Sequence, residues 1–240
     1  MPSIVWNRHP EEAYKNPYEY EAQKQFVREC RRVLQELKEL INSNVVTYGR
    51  DERSLNKALW MLRTDTIDSL TEALELIAEK RHRAASGLFR CALDTVDLAY
   101  YFASEHKDVN KHLSQWYTNK SPSHGEVRKW LDFFEGEAQA KNRREFYNEL
   151  SKFTHRSYRD LLKSYSLSKD DLLVHDEWKS DKSSILPHII TACYCVFADL
   201  IKLFVQQLVT NEVLSQQEEE KIWQKTLEKE TVTRKFGLKI

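Results

Sequence analysis

Between Ser54 and Ser104 apolar residues recur at helical spacing without a proline to interrupt them. Leu55, Leu59, Leu62, Thr66, Leu70, Leu74 and Ile77 form one run; Ala85, Leu88, Phe89, Ala92, Val96, Ala99 and Tyr100 form the next. Stripes at i, i+3, i+4 and i+7 specify amphipathic helices. Residues 80–83 carry no strong turn signal, so the two helices meet at a tight corner or a kink. Helices this long bury their stripes best against one another. Five glycines and five prolines in 240 residues agree, because folds rich in strands use both at their turns. The expected class is all-α: a single bundle of long antiparallel helices.

The remaining segments extend that reading. Residues 1–20 hold Pro2, Pro10 and Pro17 among four aromatic rings and read as an extended arm. The bundle spans 21–210, opening with a helix to about Ile41 whose stripe includes Val33, Leu34 and Leu37. A short helix is expected over 108–117. Ser123 and Glu126 have the spacing of a capping box, which starts another helix after the loop at 119–125. A helix is expected over 141–165, then a polar irregular stretch over 166–184, then a long apolar helix with Pro187 in its first turn. Residues 211–240 form a charged helix and tail. Its narrow seam of Leu214, Ile222, Trp223 and Leu227 must dock either on a second copy or on the chain's own bundle.

Charge is balanced at 37 acidic and 37 basic residues, so no global field draws in nucleic acid or an anionic membrane. The apolar run from Ile185 to Val209 includes Asp199 and Lys202. Each would cost about 3 kcal/mol near a bilayer centre, so this run reads as a central core helix. The first residues lack the apolar run of a signal peptide. Cys30, Cys91, Cys193 and Cys195 lie in apolar helical patterns and read as buried free thiols. The expected location is the cytosol.

Two polar groups interrupt the apolar patterning. Tyr147, Leu150, Ser151, Thr154, His155, Tyr158, Leu161 and Leu162 share one helical face, which places four polar side chains, Ser151, Thr154, His155 and Tyr158, on a core stripe. They form either a buried hydrogen-bond network or a site. An imidazole titrates near neutral pH, which suits proton transfer, and Arg156 and Arg159 flank it. The second group lies on the helix over 82–104. There Arg83, Arg90, Asp94, Asp97 and Tyr101 share one side, and Arg90 and Asp94 have the spacing of an ion pair. Solvated, that pair means little; facing a cleft, an arginine held by an aspartate is a rigid fork for phosphate. The run Lys141-Asn142-Arg143-Arg144 opens the next long helix, where its charge opposes the dipole unless an anion lies near. His106, His112 and His124 lack metal-ligand spacing, and no glycine-rich phosphate loop is present.

The stretch Ala84-Ala85-Ser86-Gly87-Leu88-Phe89-Arg90-Cys91-Ala92-Leu93-Asp94, followed by Leu150-Ser151-Lys152-Phe153-Thr154-His155, resembles a group of bacterial helical proteins loosely allied to the HEPN superfamily. That superfamily includes toxin and phage-defence ribonucleases as well as nucleotide-binding and non-catalytic members. Its nuclease motif sets an arginine shortly before a histidine on one helix. Here Arg144 stands eleven positions ahead of His155, so Arg90 would have to supply the arginine from another helix. The resemblance implies a defence or toxin protein acting on RNA or a nucleotide. In it His155 is the acid/base, Arg90 the phosphate clamp and Asp94 its orienter, with Ser151, Tyr158, Arg159, Asp97 and Tyr101 lining the substrate. The rival reading is a non-catalytic interaction module whose polar cluster is a structural network. Neither reading calls for a metal, a cofactor or a membrane; partners are RNA or a nucleotide, and a second copy or another protein through the last helix.

Overall fold

The computed structural model describes residues 18–42, 47–79, 81–154, 158–161, 165–167, 172–175, 184–185 and 187–226. The elements are α1 (Tyr18–Asn42), α2 (Leu55–Ala78), α3 (His82–Phe102), α4 (Val109–Trp116), α5 (His124–Glu135), α6 (Glu137–Thr154) and α7 (Tyr158–Leu161). Three short strands follow, β1 (Tyr165–Leu167), β2 (Leu173–His175) and β3 (Ser184–Ile185), then α8 (Pro187–Thr210) and α9 (Gln216–Thr226). The class is all-α, as the periodicity requires.

At Arg81 the chain turns a corner rather than kinking. Arg81 leaves the helical region at φ −90° and ψ 54°, and its amide donates to the Leu76 carbonyl at 2.7 Å. The chain then returns along α2, and this α2–α3 hairpin is the most extensive helix pair among the described residues. Helix α3 is central: α2, α5, α6 and α8 all pack on it. Its inner face contributes Phe89, Leu93 and Val96 to the main core. They meet Leu37 from α1, Leu70 and Leu74 from α2, and Phe197, Ile201 and Phe204 from α8. A second apolar cluster lies around Leu59, Tyr101, Phe102, Leu113, Trp130 and Leu131. The apolar run expected as a core helix is indeed α8, and among the described residues no helix is long and apolar enough to cross a membrane.

Helix α5 starts at the expected capping box: the Glu126 amide donates to Ser123 Oγ at 3.3 Å and the Ser123 amide to Glu126 Oε2 at 2.8 Å. Its end is set by Gly136, at φ 83° and ψ 162°, a region open to little but glycine. That one residue lets α6 begin at once and fold back on α5, which brings both helices over the same side of α3.

Several expectations change. Helix α1 begins at Tyr18, inside the expected arm, directly after Pro17 in sequence; residues 1–17 lie outside the described residues. Helix α6 begins at Glu137, so the basic run sits in its second turn and does not oppose the first-turn amides. The helix expected to reach Tyr165 does not, because Tyr165–Leu167 pairs antiparallel with Leu173–His175 and with Ser184–Ile185, in the order β2-β1-β3. Cys30 is buried, but Cys91 is exposed: one step of helix rotation beyond Arg90 turns it outward from the core. The last helix docks on its own bundle, with Leu214, Ile222 and Trp223 joining the main core against α1 and α8. The seam therefore supplies no argument for self-association.

Candidate functional site

The polar face of α3 is not a solvated face. Helices α5 and α6 cover it, and the side chains they bring are cationic and aromatic. From α5 come His124 and Arg128, one turn apart; from α6 come Arg143 and Tyr147, again one turn apart. Each pair points one face of its helix at Arg90, Asp94 and Asp97.

Tyr147 organises the cluster. Arg90 donates from Nη2 to the Tyr147 hydroxyl at 2.7 Å, and its guanidinium carbon lies 5.0 Å from the ring centroid. The Arg128 guanidinium carbon lies 3.1 Å from the same centroid. Two guanidiniums thus share one ring, an arrangement that the ring's quadrupole favours and their mutual repulsion opposes. The His124 ring is 5.9 Å from that of Tyr147, and its Nδ1 is 3.4 Å from Asp94 Oδ1. Asp94 Oδ2 is 3.7 Å from Arg90 Nε. Both are ion-pair distances; neither is a well-formed hydrogen bond, and Oδ1 is left without one. Burial accordingly pushes the Asp94 carboxyl above its ordinary value, while His124, Arg90 and Arg128 pull it down.

Asp97 is handled differently. Arg143 Nη1 donates to its Oδ1 at 2.7 Å, with only 14% and 7% of the two side chains exposed. This is a buried, well-made pair. Its neighbour Arg144 makes an exposed pair with Asp132 at 2.9 Å, which ties α6 to α5 at the surface.

Arg128 stands apart from Arg90 and Arg143, the other arginines of the cluster. It is half-buried, and no carboxylate among the described residues lies within ion-pair distance of it. Burial pulls its guanidinium below the ordinary value; Tyr147, Asp97 and Asp94 act against that, and Arg90 adds to it. The cluster holds Arg90, Arg128 and Arg143 against Asp94 and Asp97, a surplus of positive charge before His124 is counted. An anion of phosphate type is the ligand such a surplus accommodates.

The residues singled out in the sequence divide three ways. Arg90, Asp94 and Asp97 meet at this cluster. Tyr101 lies on the same helical face but belongs to another network: its hydroxyl is 2.7 Å from His112 Nδ1 and 3.4 Å from His106 Nδ1. It is 1% exposed, which seals it away from a ligand at Arg90. Ser151, on α6, keeps its hydroxyl buried, and Tyr158 stands 75% exposed on α7. His155 and the side chain of Arg159 lie outside the described residues. The residues that sequence reasoning did not assign to a site are His124, Arg128, Arg143 and Tyr147. The i, i+4 spacing of His124 and Arg128, just after a capping box, was the available signal.

Among the described residues no group of three or more His, Cys, Asp or Glu side chains is arranged to hold a metal. Fold and site define a helical protein with an arginine-rich, half-buried polar cluster on its central helix. No family model, curated protein or solved structure matches the chain.

Proposed function

We propose that the cluster binds the phosphate of RNA or a nucleotide, with Arg90 and Arg128 as the clamp. In this reading the chain is a HEPN-like protein of a bacterial defence or toxin system, and His155 is its acid/base. The observation that carries the binding step is Arg128. A half-buried guanidinium with no carboxylate partner, set beside a second guanidinium on one tyrosine ring, is costly to maintain unless an anion joins it. Asp94 orients Arg90 from one side and Tyr147 from the other, which leaves the fork pre-organised.

The test is fluorescence anisotropy with a labelled single-stranded RNA at low and moderate salt. Arg128→Ala is expected to weaken binding at least tenfold and to flatten the salt dependence, with the melting temperature held. Wild-type affinity in both Arg128→Ala and Arg90→Ala would end the phosphate reading. Cleavage of the bound RNA that persists in His155→Ala would end the acid/base assignment alone.

The rival reading, a structural network in a non-catalytic module, has one observation in its favour. The Arg143–Asp97 pair is sealed and mutually satisfied, as a structural pair would be.

A further inference from the structure

Beside the arginine cluster lies a cavity of about 720 Å³ between α3, α6 and α8, within the range of small-molecule sites. Three aromatic side chains line it: Tyr100, Phe134 and Phe146. Phe134 has one face stacked on Trp130, at 5.2 Å and 19°, and is still 55% exposed. Tyr100 meets it at 5.5 Å and 81°, and the exposed remainder of the ring offers apolar surface to a planar group. Gln207 of α8 also lines the cavity, only 3% exposed, and both its amide oxygen and its amide nitrogen lack a hydrogen-bond partner. An amide unpaired at both atoms takes a partner that offers an acceptor and a donor side by side, once its side chain turns from the wall into the cavity.

The cations around the cavity have carboxylates beside them and do not favour a second phosphate. Arg143 is held by Asp97, and Lys202 is accompanied by Asp199 and Glu219. What fits is an uncharged, flat, apolar-faced group with an amide-like edge. A nucleobase has that description: its faces stack on aromatic rings, and the adenine edge pairs bidentately with a glutamine amide.

The cavity and the cluster are consecutive steps along the same two helices. On α3, Val96 and Tyr100 line the cavity while Asp94 and Asp97 belong to the cluster. On α6, Asn142, Arg143 and Phe146 line the cavity, and Tyr147 is the next residue. One helical turn, about 5.4 Å, separates Arg143 from Tyr147, a step that a ribose bridges.

We propose that this cavity is a nucleobase pocket, so that the ligand is a nucleotide unit with its base against Gln207 and Phe134 and its phosphate on Arg128. The proposal rests on the phosphate reading for its second half only. Calorimetric titration with three probes separates the halves: adenosine carries no phosphate, pyrophosphate carries no base, and ADP carries both. Gln207→Leu and Phe134→Ala are each expected to weaken adenosine at least tenfold and to leave pyrophosphate unchanged. Arg128→Ala is expected to do the reverse, and ADP to lose affinity in all three variants. Phe134 is exposed enough that its replacement leaves folding intact should Gln207→Leu fold poorly. No adenosine binding to the wild-type chain at millimolar concentration, or wild-type adenosine affinity in Phe134→Ala, overturns the base pocket. Pyrophosphate binding in that event leaves the phosphate reading standing, and its absence removes both.

Discussion

Helix α3 carries two polar clusters on one face, and they have opposite characters. At Tyr101 the groups are mutually engaged around a buried hydroxyl: it lies 2.7 Å from His112 Nδ1, with the partly exposed His106 at 3.4 Å. At Arg90 and Asp94, two to three turns earlier, the groups are charged and half-buried, and the ion-pair contacts of Asp94 are loose. Asp97 stands between the two in position and in character, buried but charged, and satisfied by Arg143. The graded change follows from what covers each turn. The apolar side chains Leu113, Trp130 and Leu131 close over Tyr101, whereas His124, Arg128 and Tyr147 close over Asp94. A site needs the second kind of cover. Its groups must be held, yet keep capacity for a ligand.

The sharpest way to break this comparison is at Asp97. Asp97→Ala leaves the Arg143 guanidinium buried without its partner, and removing one half of such a pair costs about 3–5 kcal/mol. Chemical denaturation is expected to show that loss, and Asp97→Leu with Arg143→Met together are expected to recover most of it. A loss below about 1 kcal/mol for the single change would place this pair with solvated ones.

Tyr101→Phe comes next. It removes the hydroxyl and leaves His112, 8% exposed, without that partner, at a cost of about 1–3 kcal/mol. For a domain of this size each kcal/mol lowers the melting temperature by about 2–4 °C. RNA and nucleotide binding are expected to stay unchanged in this variant. A binding loss without a stability loss would merge the two clusters into one site.

The smallest effect is the pH dependence at Asp94. Burial raises its carboxyl above the ordinary 3.8, so the folded chain holds that proton more tightly than the unfolded chain does. The ionised group therefore costs stability above its folded pKa. The cost shrinks as the pH falls from there towards 3.8 and is gone below it. Urea midpoints of wild type and Asp94→Asn, followed from neutral pH into acid, are expected to show wild type gaining on the variant. The opposite slope would mean that Arg90, Arg128 and His124 outweigh burial, and the cluster would then be a closed ion-pair network like that of Asp97.

The sequence by itself determined the all-α class, the apolar stripes of the long helices and the grouping of Arg90, Asp94, Asp97 and Tyr101 on one side of α3. Those features are local: a period of 3.6 residues, the capping box at Ser123 and a proline tolerated in a first turn are all written within a few residues of where they act. Only the tertiary structure decided what stands opposite that side. Arg143 meets Asp97 across 46 residues of chain and Tyr147 meets Arg90 across 57, through packing that no local spacing encodes. The same holds for the strand at Tyr165, whose partners are cross-strand, and for the last helix, whose seam is covered by α1 from the other end of the described chain. Periodicity places a side chain on a face; the helices that close over that face decide whether it is sealed, paired or left ready for a ligand.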